Sequence, residues 1–360
     1  MAIKIGSREL GDNQPCFITF EAGPTHDGLQ SAKHLVSLAA EAGADAIKFQ
    51  IFDPNKLVAD KQMPFSYDVL VDRQSGETET VSEPLYDILC RRYLSPQEWK
   101  EVKRHSDALS LAFFATVGFE EDVQFLEELE CDSIKIASAD VNHWPLIRRV
   151  ARSGMCVQLD TGNASIGEVE DAVDVCRSEG NDNIIIHNCP SGYPARLESI
   201  NLKLIPTLKR MFPDYPIAYS DHTPGWEMDV AAVALGANLV EKTITTDRTI
   251  RSVEHIFSLE PTEMQQFIQT IRDVETAMGQ PRRILHPEER EKRKNVRRSA
   301  YLKYSVTKGS RLSLEGVEFR RPGYGIAPNE FESLIGLKYA QDLEAGHRLS
   351  FADLEGQCAE

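Results

Sequence analysis

A (β/α)8 TIM-type barrel followed by a small β-rich module is the architecture this sequence predicts, and three observations carry the prediction. Between residue 16 and about residue 280, short β-branched or apolar runs alternate with helix-period segments, the signature of βα units around a parallel sheet. Eight such units can be counted, whereas an open doubly wound sheet usually stops nearer about six strands. The 360 residues also leave room for a barrel of about 250 residues and a smaller module behind it.

The predicted strands run over 16–21, 44–51, 111–116, 132–138, 156–161, 183–189, 216–221 and 238–243. The segments between them carry apolar residues at helical spacing: Leu35, Leu38 and Ala39 in the first, Val169, Ala172, Val173 and Cys176 in the fifth, Met264, Phe267, Ile268, Ile271 and Val274 in the eighth. One connection is long. Residues 52–94, with the turn-like run Asp72-Arg73-Gln74-Ser75-Gly76-Glu77, separate the second strand from a helix beginning near Ser95-Pro96-Gln97-Glu98. Inserts of this size are usually lids or partly disordered loops, and this one follows the C-terminal end of a strand, where a lid would sit. After residue 280 the run Glu288-Glu289-Arg290-Glu291-Lys292-Arg293-Lys294 reads as a linker. The predicted domains are therefore 1–283, a charged linker 284–298, and a turn-rich module 299–360, punctuated by Lys308-Gly309, Arg321-Pro322-Gly323 and Ala345-Gly346.

Composition excludes several function classes. The formal net charge of −16 argues against a nucleic-acid binder, which needs a basic surface. No apolar run approaches the ~18 residues of a membrane span and the start lacks the apolar core of a secretory signal, so a cytoplasmic location is expected. Seven cysteines, at 16, 90, 131, 156, 176, 189 and 358, are scattered and odd in number, which suits reduced thiols.

Barrel active sites lie at the C-terminal ends of the strands, and these ends are polar in a way core packing would not produce. They offer Glu21, Lys48 with Gln50, Thr116, Lys135, Ser138 and Asp140, Asp160-Thr161, Asn188-Cys189, Ser220-Asp221-His222 and Glu241-Lys242-Thr243. Alternate strand positions share a face, so Lys48 with Gln50, Ser220 with His222, and Glu241 with Thr243 point the same way. Lys48 and Lys135 at one mouth suggest an anionic substrate; they could equally bridge neighbouring carboxylates. Glu21 and Glu241 must pair, bind a cation or titrate if buried. His222 alone can be a structural, ligating or reacting histidine.

The runs Glu21-Ala22-Gly23-Pro24-Thr25-His26-Asp27-Gly28 and Ala42-Gly43-Ala44-Asp45-Ala46-Ile47-Lys48-Phe49-Gln50 resemble the opening of the sialic acid synthase family. The likeness continues through Lys135-Ile136-Ala137-Ser138, Tyr193-Pro194, Asn201-Leu202, Tyr219-Ser220-Asp221-His222-Thr223-Pro224-Gly225 and Glu241-Lys242. Arg298-Ser299, Lys308-Gly309 and Arg321-Pro322-Gly323-Tyr324-Gly325-Ile326 resemble that family's antifreeze-like SAF domain. The resemblance implies condensation of phosphoenolpyruvate with an N-acyl amino sugar to a sialic-type nonulosonic acid and phosphate, in a domain-swapped homodimer using a divalent metal, Mg²⁺ or Mn²⁺. By position, Lys48, Thr116, Lys135, Ser138, Ser191, Ser220 and Arg321 would hold phosphoenolpyruvate, and Gln50, Tyr193, Glu254 and a partner's Arg321 would contact the sugar. Glu21, Asp140, Glu241 and His222 would be the catalytic groups, with His222 also a metal ligand.

The chain departs from the family pattern in places. Thr243 stands where the family has a second metal-binding histidine, and a hydroxyl is a poor ligand for Mn²⁺ or Zn²⁺, although oxygen donors suit Mg²⁺. His255, next to Glu254 in place of the family's aspartate, could supply the missing imidazole. Asn188-Cys189 replaces a His-Cys, which leaves His187 displaced by one and expected on the opposite side of its strand. Val117-Gly118 replaces a Pro-Phe pair. Two other functions share these residues: a phosphoenolpyruvate condensation with another aldose giving a 3-deoxy-ulosonate, and a non-catalytic sugar- or phosphoenolpyruvate-binding homologue.

Overall fold

A computed structural model describes residues 3–356, so Cys358 and the last residues of the predicted module lie outside the described residues. The chain divides into two compact units, Met1–Gly279 and Gln280–Glu360. In the first, eight strands close a barrel: β1 (Phe17–Glu21), β2 (Ala46–Ile51), β3 (Ala112–Val117), β4 (Ser133–Ile136), β5 (Cys156–Asp160), β6 (Ile184–Asn188), β7 (Ile217–Asp221) and β8 (Leu239–Thr243). Each pairs in parallel with its neighbours in sequence, and β8 returns to β1. The helices that follow them are α1 (Leu29–Ala42), α2 (Pro96–Ala108), α3 (Glu120–Glu128), α4 (Trp144–Arg152), α5 (Ile166–Ser178), α6 (Leu204–Met211), α7 (Glu227–Ala234) and α8 (Pro261–Met278).

Strand parity sorts the side chains into two cores. Outward residues such as Ile18, Phe49 and Val240 pack on helix residues such as Leu35, Val102 and Phe267, each fully buried; burying one such side chain contributes about 1.5–3 kcal/mol. The inward set begins apolar at the N-terminal end, where Phe17, Phe114, Ile185 and Leu239 meet Ile3, Ile5 and Leu10 of an antiparallel hairpin, Ile3–Ile5 with Arg8–Leu10. Further along, the buried interior turns polar with Thr19, Ser133, Gln158 and His187, and then charged with Lys48, Lys135 and Glu241. The barrel is thus sealed below and ionic above.

Local signals explain the element ends. Ser95 and Glu98 close a reciprocal capping box at the start of α2, and Ser165 with Glu168 do the same for α5, a device worth about 1 kcal/mol each. The observed strands are slightly shorter than predicted. The fourth differs most, because Ser138 leaves the strand to begin a 3₁₀ turn, Ser138–Asp140.

The insert is folded, which removes partial disorder from the two alternatives the sequence left. A short helix Pro54–Leu57 leads into a hairpin, Pro64–Asp72 with Glu77–Pro84, and a helix Leu85–Cys90. Asp72 organises the hairpin tip by accepting from the N–H groups of Gln74 and Ser75, both at 3.1 Å, and Gly76 supplies a φ of 71° there. Tyr67 and Val69 bury against Ile88 and Val253. Arg73 holds Asp247 and Glu260 at 2.6 Å each, tethering the tip to the segment after β8.

In the second unit, the run expected as a linker is an α-helix, Pro287–Val296. Its Pro287 at the first turn, with Glu288 and Glu289 there and Arg293 and Lys294 in the last, suits the helix dipole. Beyond it, Ser299–Leu302 pairs with Val317–Arg320 and Lys338–Tyr339 with Leu354–Glu355 around a core of Ala300, Leu302, Leu312, Ile326, Phe331 and Leu349. Among the described residues no helix is long and apolar enough to cross a membrane, and the cysteines at 16, 90, 131, 156, 176 and 189 are free thiols.

Candidate active site

At the C-terminal end of the strands a cavity of about 340 Å³ opens. Its floor is a chain of buried ions contributed by five strands. Glu21 at the end of β1 pairs with Lys48 on β2, whose Nζ also lies 3.1 Å from Glu241 on β8. Glu241 receives Lys135 Nζ of β4 at 2.7 and 2.8 Å, and the same ammonium reaches Asp160 of β5 at 3.0 Å. Lys135 also donates to Ser220 Oγ at 3.0 Å, and Lys48 to Thr116 Oγ1 at 3.4 Å. Both readings of the two lysines are compatible with this geometry, because carboxylates pair with both while Lys48 lines the cavity and Lys135 sits directly beneath Asp160 and Glu241, which line it.

The electrostatics follow from unequal sharing. Burial pushes Glu21 up, Lys48 opposes the shift and the charge of Glu241 reinforces it, so Glu21 favours its protonated form more than an ordinary carboxyl. For Glu241 burial acts the same way, but Lys135 and Lys48 together outweigh it and hold the carboxyl below the usual range. Burial also disfavours the charge on Lys48, yet Glu21 and Glu241 keep its pKa above that of a free lysine. Gly23 permits the arrangement. Its N–H donates to Glu21 Oε1 at 2.5 Å, and a Cβ there would stand 2.5 Å from that oxygen and 2.8 Å from the Gln50 backbone nitrogen.

Beneath the lysines, His187 lies inside the barrel, on the face opposite its neighbour Asn188, which donates to the Ile200 carbonyl at 3.3 Å. His187 Nε2 donates to Gln158 Oε1 at 2.9 Å, leaving Nδ1 to accept from Ser220 Oγ at 2.9 Å. Burial and then Lys135 push this ring down to about 3, so it is neutral. The Ser220 hydroxyl hydrogen has one alternative acceptor, Asp160 Oδ1 at 3.2 Å.

The upper wall carries Gln50, Ser138, Asp140, Tyr193, His222 and Glu254. Tyr193 stacks over His222 with centroids 4.6 Å apart, and Phe257 stands behind both, a surface on which the C–H face of a sugar can lie. His222 Nδ1 is engaged by the Pro190 carbonyl at 3.1 Å, and burial lowers its pKa. Burial raises Asp140, and it pushes Glu254 up to about 7 against the pull of Arg92.

Other sequence-predicted residues fall elsewhere. Ser191 donates to the Gly162 carbonyl at 2.6 Å in the loop after β6. Thr243 is buried at the end of β8 and does not line the cavity. His255 does not supply a second imidazole at the mouth, since its Nδ1 shares a 2.7 Å hydrogen bond with Thr245 Oγ1 and its ring lies outside the cavity lining. Arg321 is exposed on the second unit. Among the described residues no three His, Cys, Asp or Glu side chains are grouped to hold a metal ion, and His222 is the one imidazole lining the cavity. The pair of imidazoles that the family pattern uses for a metal is therefore not assembled at this cavity. Sequence reading gave no role to Gln158, which orients His187, or to Arg92, which lines the cavity from the insert. The polar interior position of Gln158 was a usable signal; Arg92 had none.

Comparison with known proteins fits this architecture. The chain is 33% identical to the N,N'-diacetyllegionaminic acid synthase of Legionella pneumophila over 97% of this chain and 98% of that one. It is 31% identical to the human N-acetylneuraminate-9-phosphate synthase, over 94% of this chain and 92% of that one. The crystal structure of N-acetylneuraminic acid synthetase from Leptospira borgpetersenii superposes with a TM-score of 0.70 at 30% identity, covering 81% of this chain and 95% of that chain. Residues 297–355 match the SAF domain and residues 35–283 match the NeuB family, and with a barrel whose mouth gathers paired lysines and carboxylates, the chain belongs to the NeuB family.

Proposed function

We propose that this protein condenses phosphoenolpyruvate with the open-chain aldehyde of an N-acyl amino sugar, giving a nonulosonic acid and phosphate. The observation that carries the reading is the buried row Glu21, Lys48, Glu241, Lys135 and Asp160, of which all but Lys135 line a cavity whose other wall offers Gln50, Tyr193 and Glu254. In the reaction C3 of phosphoenolpyruvate attacks the aldehyde carbon, the aldehyde oxygen takes a proton, water adds at C2, and the C2–O bond breaks as phosphate leaves.

Lys48 and Lys135 bind the phosphate and carboxylate of phosphoenolpyruvate, with hydroxyls of Thr116, Ser138 and Ser220 completing the cradle. Their ammonium groups are worth more here than in water because the floor is dry. Glu21, poised toward its protonated form, is the group suited to hold or give a proton, and Glu241, held ionised, suits accepting one from water. Asp140 stands on the same wall as a second acid. The lysines are already balanced by carboxylates, so the substrate's negative charge calls for another cation; a partner subunit's Arg321, in a domain-swapped homodimer, supplies a bidentate one.

The test is phosphate release from phosphoenolpyruvate against a panel of N-acyl amino sugars with neutral aldoses as controls, product mass being checked. Each is run after chelation and with Mg²⁺ or Mn²⁺ restored. Product heavier than the acceptor by the pyruvate unit is expected from amino sugars; turnover of plain aldoses alone, or of nothing in the panel, overturns the reading.

A further inference from the structure

Four lysine or arginine side chains are buried among the described residues: Lys48, Arg92, Lys135 and Lys242. Three of them sit against carboxylates, Lys48 on Glu21 and Glu241, Lys135 on Glu241 and Asp160, and Lys242 on Asp221. Arg92 is the exception. Only 5% of it is exposed, yet among the described residues no carboxylate comes within 4.0 Å of its guanidinium, and its side chain makes a single long hydrogen bond, 3.5 Å to Ser252 Oγ. A guanidinium offers five N–H donors and stays charged. Burying one without a counter-ion is costly, and folds seldom retain it without a use.

Its placement says what that use is. Arg92 follows the helix Leu85–Cys90 of the insert, and its backbone N–H bonds the Leu89 carbonyl, so the folded insert carries the side chain to the cavity wall. Phe65, Leu85, Ile88 and Leu89 line the same cavity and keep that side apolar, where a charged contact is strengthened. The acidic group acting most strongly on Arg92 is Glu254, across a gap too wide for an ion pair. Glu254, pushed up to about 7, is half protonated near neutrality and can donate to an oxyanion instead of repelling it. The lysines belong to the floor, so among the described residues lining the cavity Arg92 is the cation this chain itself offers on the acceptor side, beside the Arg321 proposed from a partner subunit.

We infer that Arg92 is an acceptor-binding and specificity-determining residue that takes an oxyanion substituent of the amino sugar, a phosphate monoester or a carboxylate, in a bidentate grip. The inference rests on the reading that an amino sugar occupies this cavity beside phosphoenolpyruvate. It assigns to the insert the discrimination between charged and neutral acceptors.

The experiment is calorimetric titration of the full chain with N-acetylmannosamine, its 6-phosphate and its uronate, repeated on Arg92→Met and Arg92→Lys, with phosphoenolpyruvate titrated in parallel. Wild type should bind one of the anionic forms about ten- to a hundred-fold more tightly than the neutral sugar, the range of a charge-assisted pair. Arg92→Met should erase that preference and Arg92→Lys restore part of it, with phosphoenolpyruvate affinity retained in both as the sign of an intact floor. The two anionic probes separate phosphate from carboxylate recognition. Equal or absent binding of all three sugars by wild type, or a preference that survives in Arg92→Met because the floor lysines read the anion, overturns the inference. Failure of phosphoenolpyruvate to bind wild type would instead strike at the condensation itself.

Discussion

Strands β7 and β8 each build two ionic clusters, one on each face, and the two could hardly differ more. Inward, Ser220 and Glu241 join Lys135 and Lys48 on a floor that opens to a cavity. Outward, Asp221 and Lys242 pair under α7, where Asp221 also accepts from Tyr219 at 2.8 Å and Thr223 at 2.9 Å, and Lys242 donates to the Thr223 carbonyl at 2.6 Å. Asp229 of α7 completes this outer cluster, 3.7 Å from Lys242, with both carboxyl oxygens lacking a donor. Burial first, and Asp221 second, push its pKa far up, which favours its protonated form. The lesson is that neighbouring charged residues in one strand, Glu241 and Lys242, meet a cavity and a sealed interior respectively, so that strand parity alone decides which of them a ligand can reach.

The comparison breaks first at Lys242. Lys242→Met leaves Asp221 buried and uncompensated, and should cost about 3–5 kcal/mol, read as a fall in denaturation midpoint; a midpoint close to wild type would mean the outer cluster is not a structural ion pair. Lys135→Met should do the reverse, since Glu241 and Asp160 can be wetted from the cavity. Its expected result is a drop in kcat/KM for phosphoenolpyruvate of about a hundred-fold or more with a folded barrel by circular dichroism; unchanged kcat/KM removes Lys135 from the site.

Two smaller effects sharpen the contrast. Glu254 has a folded pKa of about 7, above the unfolded value, so its contribution to stability is full below the unfolded pKa and is lost as pH rises through 7. Glu254→Gln should therefore flatten the decline in stability between pH 5 and pH 8, by about 1 kcal/mol for a partly wetted wall group; an unaltered profile would place the titration elsewhere. Asp229→Asn should be the mildest change, within about 0.5 kcal/mol at pH 7, because an amide copies the neutral carboxyl that burial favours. A loss of several kcal/mol would show Asp229 to be ionised.

Most of the inner cluster was legible before the fold was known. Glu21, Lys48, Thr116, Lys135 and Glu241 stand at the ends of β-branched runs, where a barrel puts its chemistry, and parity put Lys48 and Gln50 on one face. Parity put His187 on the face opposite Asn188, but its partners Gln158 and Ser220 come from other strands and only the closed barrel supplied them. The helix Pro287–Val296 was read as a linker because it buries nothing, so the apolar period that marks a helix is missing.

What the sequence determined by itself is the repeat of eight βα units, the polar strand ends and the small module, because periodicity, caps and turns are local and act within a few residues. What only the tertiary structure decided is which ions meet. Lys135 and Glu241 are 106 residues apart in the chain and 2.7 Å apart in space, Arg92 reaches the cavity because a hairpin with no barrel periodicity folds against Val253, and Lys242 is sealed only because α7 covers it. Closing the barrel sets these distances through the strand register, a long-range property that no segment of the chain encodes alone.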